Sequence, residues 1–324
     1  MVKYKKSLIL FIRIVIGAGL LIFLFWKTDI KKFTSVVKQA SPFYLILSGI
    51  LFLVAVIVIS FRWKILLDAH SINIPFRLTI SYYLVGFFFN NFLPTGVGLD
   101  IVRAVYASNN YGKKAECFAS VISERLIGFF ALLLIGVVFL PMFVSKSHFL
   151  LLVFLGIIFL IVLFVLGIIL FTKKRMLRKF SFLLRFKIFI KLRESLKRLY
   201  EALYYYKGKK SVVLYTLLLS FLFQILLITM AFCIGQAFSI KIPYHYFLSF
   251  IPAINIASMV PITINGIGIR EGLYVYLFKF AGIDSSRSLL LSISYLVITM
   301  AVSLIGAVIF IFGMHIGKKG GQKI

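Results

Sequence analysis

Three pairs of opposite charge stand inside or beside long apolar runs: Asp100 and Arg103 in NNFLPTGVGLDIVRA, Glu124 and Arg125 in SVISERLIGFF, and Arg270 and Glu271 in VPITINGIGIREGLY. Asp100 precedes Arg103 by three residues, so on a helix both lie on one face and the carboxylate can hold the guanidinium until another anion arrives. A guanidinium presents a planar fork of donors that fits the paired oxygens of a carboxylate or phosphate. Charges at bilayer depth cost about 2.5 to 3.5 kcal/mol each on insertion scales and therefore tend to face a pathway or a partner. The competing reading places each pair at the headgroup interface, where Arg snorkels and Glu is hydrated.

Two of these pairs follow a helix break. Pro94 has no backbone donor, and Gly96 and Gly98 allow geometries closed to other residues, so backbone N–H and C=O groups are freed there. Such groups are tolerated at membrane depth only where protein or a water-filled cavity satisfies them. A helix resuming at Leu99 would aim the positive end of its dipole into that space, the arrangement of an anion site. Pro261, Gly266 and Gly268, with Asn265, repeat the design ahead of Arg270 and Glu271. The candidate substrate-binding residues are therefore Arg103, Arg270, Asp100, Glu124, Arg125, Glu271, Asn91 and Asn265; the asparagines, with Asn90, also fit a plain capping role.

The elements that must position these residues are membrane helices. The chain has 324 residues, 62% of them apolar, with a mean hydropathy of +1.06. Apolar runs long enough to cross the bilayer predict full spans near 7–26, 43–62, 119–140, 149–171, 211–234 and 289–312. The first shows no small-residue cleavage site and reads as an uncleaved span. Two more apolar stretches, 78–93 and 247–260, end at Pro94 and Pro261 and read as re-entrant broken helices. The expected fold is an all-α polytopic membrane protein of six full spans plus two re-entrant helices, forming one integral membrane domain over 1–324.

Between Thr172 and Ser211 lie 14 Lys and Arg against Glu194 and Glu201, so the loop 173–210 is expected in the cytoplasm. The N-terminal and C-terminal lysines join it there if residues 78–112 enter and leave on one face and 247–283 on the other; Lys27, Lys31, Lys32 and Lys38 are then left outside. Leu177, Phe180, Leu184, Ile188, Leu192, Leu196 and Leu199 recur at helical spacing and fit an in-plane helix on anionic lipid or a solvated loop. Tyr204, Tyr205 and Tyr206 read as interfacial anchors.

The two halves of the chain are similar. Ile-x-Ile-Pro-aromatic begins at Ile72 and again at Ile240, an offset of 168; Ser81 matches Ser249, Pro94 pairs with Pro261, and Gly96-Val97-Gly98 pairs with Gly266-Ile267-Gly268. This predicts two copies of one unit, 1–145 and 146–318, inserted in opposite orientations, an inverted-repeat architecture that places a transport site near midplane.

Several function classes are excluded. The formal charge of +28 follows from bases beside apolar spans, which points to topology and not to nucleic acid. Cys117 and Cys233 form no disulfide framework or metal site, and the four histidines lack ligand spacing. There is no Walker A loop and no H-E-x-x-H, and neither Gly-x-Gly follows a strand, so no cofactor or metal is expected.

The stretches FFFNNFLPTGVGLDIVRA, SVISERLIGFFALLL and VPITINGIGIREGLYVYLF together resemble the lysylphosphatidylglycerol synthase transmembrane region family, also called flippase-like proteins, which includes the membrane half of the multiple peptide resistance factor. The resemblance covers essentially the whole chain. It points to Asn91, Pro94, Gly98, Asp100 and Arg103, then Glu124 and Arg125, then Pro261, Gly266, Gly268, Arg270 and Glu271. Gly98-Leu99-Asp100 departs from a Gly-Gly-Asp-like run common in the family, which puts a close backbone approach at Leu99 in question. The resemblance implies translocation of aminoacylated phosphatidylglycerol or of a polyprenyl-phosphate-linked lipid between leaflets of the plasma membrane, with both termini cytoplasmic. About a dozen residues follow the last span, so aminoacyl transfer is not expected from this polypeptide; the alternative is a membrane subunit of a lipid-modifying system served by a separately encoded soluble transferase.

Overall fold

A computed structural model describes residue 19 and residues 30–92, 98–172, 190–259, 263 and 266–313. Its helices are α1 (Ile30–Lys38), α2 (Pro42–Ala69), α3 (Phe76–Phe92), α4 (Gly98–Tyr111), α5 (Lys114–Phe139), α6 (His148–Thr172), α7 (Ile190–Tyr205), α8 (Lys210–Ala237), α9 (Tyr244–Ser258), α10 (Ile269–Lys279) and α11 (Ser285–Gly313). Short 3₁₀ turns, Leu140–Lys146 and Tyr206–Gly208, continue α5 and α7. No strand occurs among the described residues. Five segments are long and apolar enough to cross a membrane: Pro42–Ala69, Lys114–Ser145, His148–Ile169, Lys210–Ala237 and Ser285–Phe312. They coincide with five of the six expected spans, and the sixth, 7–26, lies outside the described residues.

Helices α2 and α8 are both 28 residues long and form the central antiparallel pair. Ser41 N–H donates to the Ala237 carbonyl at 3.0 Å and Ser48 Oγ to the Met230 carbonyl at 3.4 Å near one end, while Arg62 Nη1 meets Ser220 Oγ at 2.7 Å further along. The two helices also end alike. Ile72 N–H returns to Leu67 O and Ile240 N–H to Gly235 O, across Ser71 and Ser239 with φ of 54° and 58°. Each closure satisfies orphan carbonyls through a left-handed residue after the helix, and Pro75 or Pro243 then prevents the helix from resuming.

Helices α3 and α4 fold back on each other. Gly86 faces Leu99, where an added Cβ would stand 3.0 Å from the Leu99 carbonyl oxygen; Asn110 Nδ2 donates to the Tyr82 hydroxyl at 2.8 Å. The close backbone approach at Leu99 is thus permitted by the glycine opposite it. Lys113 Nζ donates to the carbonyls of His70 and Ser71 at 3.0 and 3.2 Å, and the Tyr206 hydroxyl to Leu66 O at 2.8 Å. The hairpin therefore begins and ends at the end of the bundle where α7 meets α8. Helices of 17 and 14 residues reach about 26 and 21 Å, short of the roughly 30 Å of hydrocarbon.

The second hairpin, α9 and α10, opens at the opposite end. Ser249 Oγ donates to Phe139 O at 2.9 Å, Phe143 meets Tyr246 at 4.6 Å between ring centres, and Phe149 meets Tyr276 at 5.0 Å. Each hairpin also leans on the span that follows the other one. Gly306 of α11 sits directly on the Leu84 carbonyl of α3, and Gly136 of α5 lies against Pro252 and Ile256 of α9. Glycine is required at 306 because any Cβ would overlap that carbonyl. Helix α6 is peripheral and mostly unburied by the rest of the protein, as expected for a helix that meets mainly lipid.

The tyrosine triplet departs from a set of free anchors. Tyr206 is buried and hydrogen-bonded to α2, and the His70 ring lies 4.9 and 4.8 Å from Tyr205 and Tyr206. Helix α7 packs against α5, so this described part of the basic loop is docked on the bundle; residues 173–189 lie outside the described set.

Candidate functional site

Four helices converge on one carboxylate. Glu124 lies ten residues into α5, about 15 Å from its start at 1.5 Å per residue, and has no exposed surface. Its Oε1 accepts from Arg62 Nε at 3.1 Å and from the Tyr83 hydroxyl at 2.6 Å, while Oε2 accepts from Arg103 Nη1. Arg103, 2% exposed, also donates to the Tyr83 hydroxyl and, through Nη2, to Asp100 Oδ1 at 2.7 Å. The other Asp100 oxygen accepts from Arg125 Nη1 at 2.6 Å.

Charge thus alternates along Arg62, Glu124, Arg103, Asp100 and Arg125. The chain runs from fully buried Glu124 to Arg125, whose side chain is 49% exposed. Buried ions are tolerated only in such paired, hydrogen-bonded settings, because desolvation otherwise exceeds the Coulombic gain. Three cations face two anions, so the network keeps one formal positive charge. The guanidinium of Arg103 rests 5.0 Å over Trp63 and 4.4 Å over Tyr83, and Trp63 is fixed by its Nε1 donating to Ser120 Oγ at 2.9 Å. Among the described residues, Arg103 Nε is buried without a partner.

The second cluster is more local. Arg270 Nε and Nη2 donate to Glu271 Oε1 at 3.1 and 2.8 Å, and Ser292 Oγ of α11 donates to the same oxygen at 3.2 Å. Gly268 N–H, at a φ of 88° that favours glycine, donates to Glu271 Oε2 at 2.6 Å. The glutamate caps its own helix. The start of α10 is therefore already met by a carboxylate, unlike the open anion site expected from sequence.

The remaining candidates divide. Asn91 Nδ2 donates to Ser303 Oγ of α11 at 2.7 Å, tying the first hairpin to α11, and Asn90 Oδ1 accepts a long 3.5 Å bond from Leu99 N–H across the break. Gly98, Gly266 and Gly268 are buried where the second arms begin. Pro94, Gly96, Pro261 and Asn265 lie outside the described residues. Asp100, Arg103, Glu124 and Arg125 are brought together, while Arg270 and Glu271 form the separate cluster on α10 and α11.

Sequence reasoning missed Arg62, Tyr83 and Ser220. Arg62 ended a predicted span and read as its boundary, but α2 continues to Ala69 and carries it inside. The apolar period resuming at Trp63, Leu66 and Leu67 was the available signal. Tyr83 and Ser220 had none, because only tertiary packing turns Tyr83 toward Glu124 and Ser220 toward Arg62.

The fold and this network define an all-α polytopic membrane protein with paired acidic and basic side chains buried inside its helical bundle. The chain belongs to the family described as the lysylphosphatidylglycerol synthase TM region, which it matches over residues 10–306. It is 23% identical to a UPF0104 membrane protein of Methanothermobacter thermautotrophicus over 99% of this chain and 100% of that protein. A second UPF0104 membrane protein, of Methanocaldococcus jannaschii, is 28% identical over 42% of this chain and 41% of its own length. No solved structure matches the chain.

Proposed function

We propose that the protein is a lipid translocase of the flippase type, moving a phosphate-bearing lipid between leaflets of the plasma membrane, with aminoacylated phosphatidylglycerol and polyprenyl-phosphate-linked lipids as the candidate substrates. The observation that carries this reading is Arg103: a guanidinium at bilayer depth, on a hairpin arm, held by two exchangeable carboxylates and keeping one unpartnered donor. Charges placed so deep mark a pathway. A headgroup phosphate displaces Asp100 and Glu124 from Arg103, Arg125 supplies the exposed first contact, and acyl chains stay in lipid. Arg270 offers a second contact on the opposing hairpin once Glu271 retains Gly268 and Ser292 alone.

Two inverted copies, 1–145 and 146–318, supply the symmetry for alternating access. This is supported by the matched helix ends at Ser71 and Ser239 and by the reciprocal packing of Gly306 on α3 and Gly136 on α9. The basic end is the cytoplasmic one.

The test is reconstitution in vesicles carrying headgroup-labelled phosphatidylglycerol or polyprenyl phosphate, read by quenching from outside. The wild-type chain equilibrates one of the labels across the bilayer and Arg103→Gln abolishes this with the fold intact. An unchanged rate in that variant removes the phosphate grip.

A further inference from the structure

If Arg103 is to leave Glu124 for a lipid phosphate, as the translocase reading requires, something must keep that carboxylate neutralised in a dry interior. The two oxygens of Glu124 are already divided for this purpose. Oε2 faces Arg103 of the hairpin arm; Oε1 is held by Arg62 Nε at 3.1 Å and by the Tyr83 hydroxyl at 2.6 Å. Arg62 is anchored away from the hairpin. Its Nη1 donates to Ser220 Oγ of α8 at 2.7 Å, its guanidinium lies 5.8 Å over the Phe223 ring, and it lodges against Gly128, where a Cβ would stand 3.0 Å from Nη1. A cation held by α2, α5 and α8 stays put when α4 moves.

We infer that Arg62 is a positioning residue for translocation, the standing counter-ion that holds Glu124 in place while Arg103 alternates between Glu124 and the substrate anion. Arg62 itself touches no lipid. Without it, Glu124 has no cation but Arg103 among the described residues and keeps it, so the arm is locked on its resting partner. The inference also explains why a buried arginine is spent on a carboxylate that Arg103 already satisfies.

The experiment is a double-mutant cycle on lipid movement in phosphatidylcholine vesicles carrying labelled phosphatidylglycerol and, separately, labelled polyprenyl phosphate. Arg62→Gln slows equilibration tenfold or more, and Arg62→Lys, which keeps the charge, retains most of the rate. In the Glu124→Gln background Arg62→Gln causes no further slowing, because the carboxylate it served is gone. A role in packing alone predicts the same loss in both backgrounds, and that result overturns the inference while leaving the translocase reading in place. If Arg62→Gln does not fold, Ser220→Ala gives the second arm: freeing the guanidinium from α8 slows equilibration in the wild-type background and not in Glu124→Gln, and equal slowing in both again overturns it. A wild-type chain that moves neither label removes the translocase reading, and this inference with it.

Discussion

Replacing Glu124 by Gln tests whether the charge network is a buried one or an interfacial decoration. The carboxylate is fully buried and pairs with two guanidinium groups, one of them at 3.1 Å. At an effective dielectric near 20, a pair at that distance is worth about 5 kcal/mol. Breaking a buried pair by removing one partner costs about 3–5 kcal/mol, since the other charge is left uncompensated. Glutamine keeps the volume, can accept from only one arginine, and presents its amide N–H₂ to the other. At about 1.5 °C per kcal/mol for a chain of this size, the melting midpoint in detergent should fall by roughly 4–7 °C. Arg62→Gln together with Glu124→Gln should recover most of the loss, because Arg103 keeps Asp100. An interfacial pair would contribute only about 0–1 kcal/mol. A drop under about 3 °C, or a double variant as unstable as the single one, would refute the buried-network reasoning.

Three further outcomes are expected. Gly306→Ala should cost about 1–3 kcal/mol by overpacking, because its Cβ would overlap the Leu84 carbonyl, whereas Gly156→Ala, with nothing within 4 Å, should be near neutral; melting midpoints compare the two. Burial pushes the His70 imidazole below its ordinary range, with Glu116 opposing the shift. The docked form of the Tyr205–Tyr206 turn therefore binds the proton less well than the undocked form, so its stability is full above about pH 6.5 and falls as pH drops below that value. Amide protection at residues 204–208, taken relative to the intrinsic exchange rate at each pH, should fall on acidification, and His70→Phe should flatten the response. Cysteines at Lys113 and Asp284 should react with impermeant reagent from opposite sides of the membrane, and labelling of both from one side would end the two-hairpin topology.

The spans were legible because about 20 consecutive apolar residues have few other uses, and the breaks were legible because proline and glycine act locally. The pairing of Asp100 with Arg103 was also legible, since a spacing of three fixes a shared helix face. The partnership of Arg103 with Glu124 was not, as nothing within either segment states that α4 and α5 meet at those positions. Arg62 was hidden for a related reason. A basic residue near the end of an apolar run reads as a boundary, and only packing against α8 reveals that the helix passes through it. The start of α10 reads as an open anion site from the break and the neighbouring Arg270; in the structure Glu271 serves both Arg270 and the Gly268 N–H.

The two halves carry different chemistry at matching places. Arg103 on α4 meets Glu124 on α5, and 168 residues later Glu271 on α10 meets Ser292 on α11, each pair 21 residues apart. Their support differs as well. Arg103 draws partners from α3, α4 and α5, so moving the hairpin changes its pairing. Glu271 is held by its own helix start and by its neighbour, so moving α10 carries most of its partners along. A site that exchanges ions needs partners on elements that move relative to one another, whereas a cap needs the reverse. On the translocase reading the first hairpin is therefore where ion pairs are exchanged between elements, and the second presents Arg270 from a helix whose start Glu271 keeps in register.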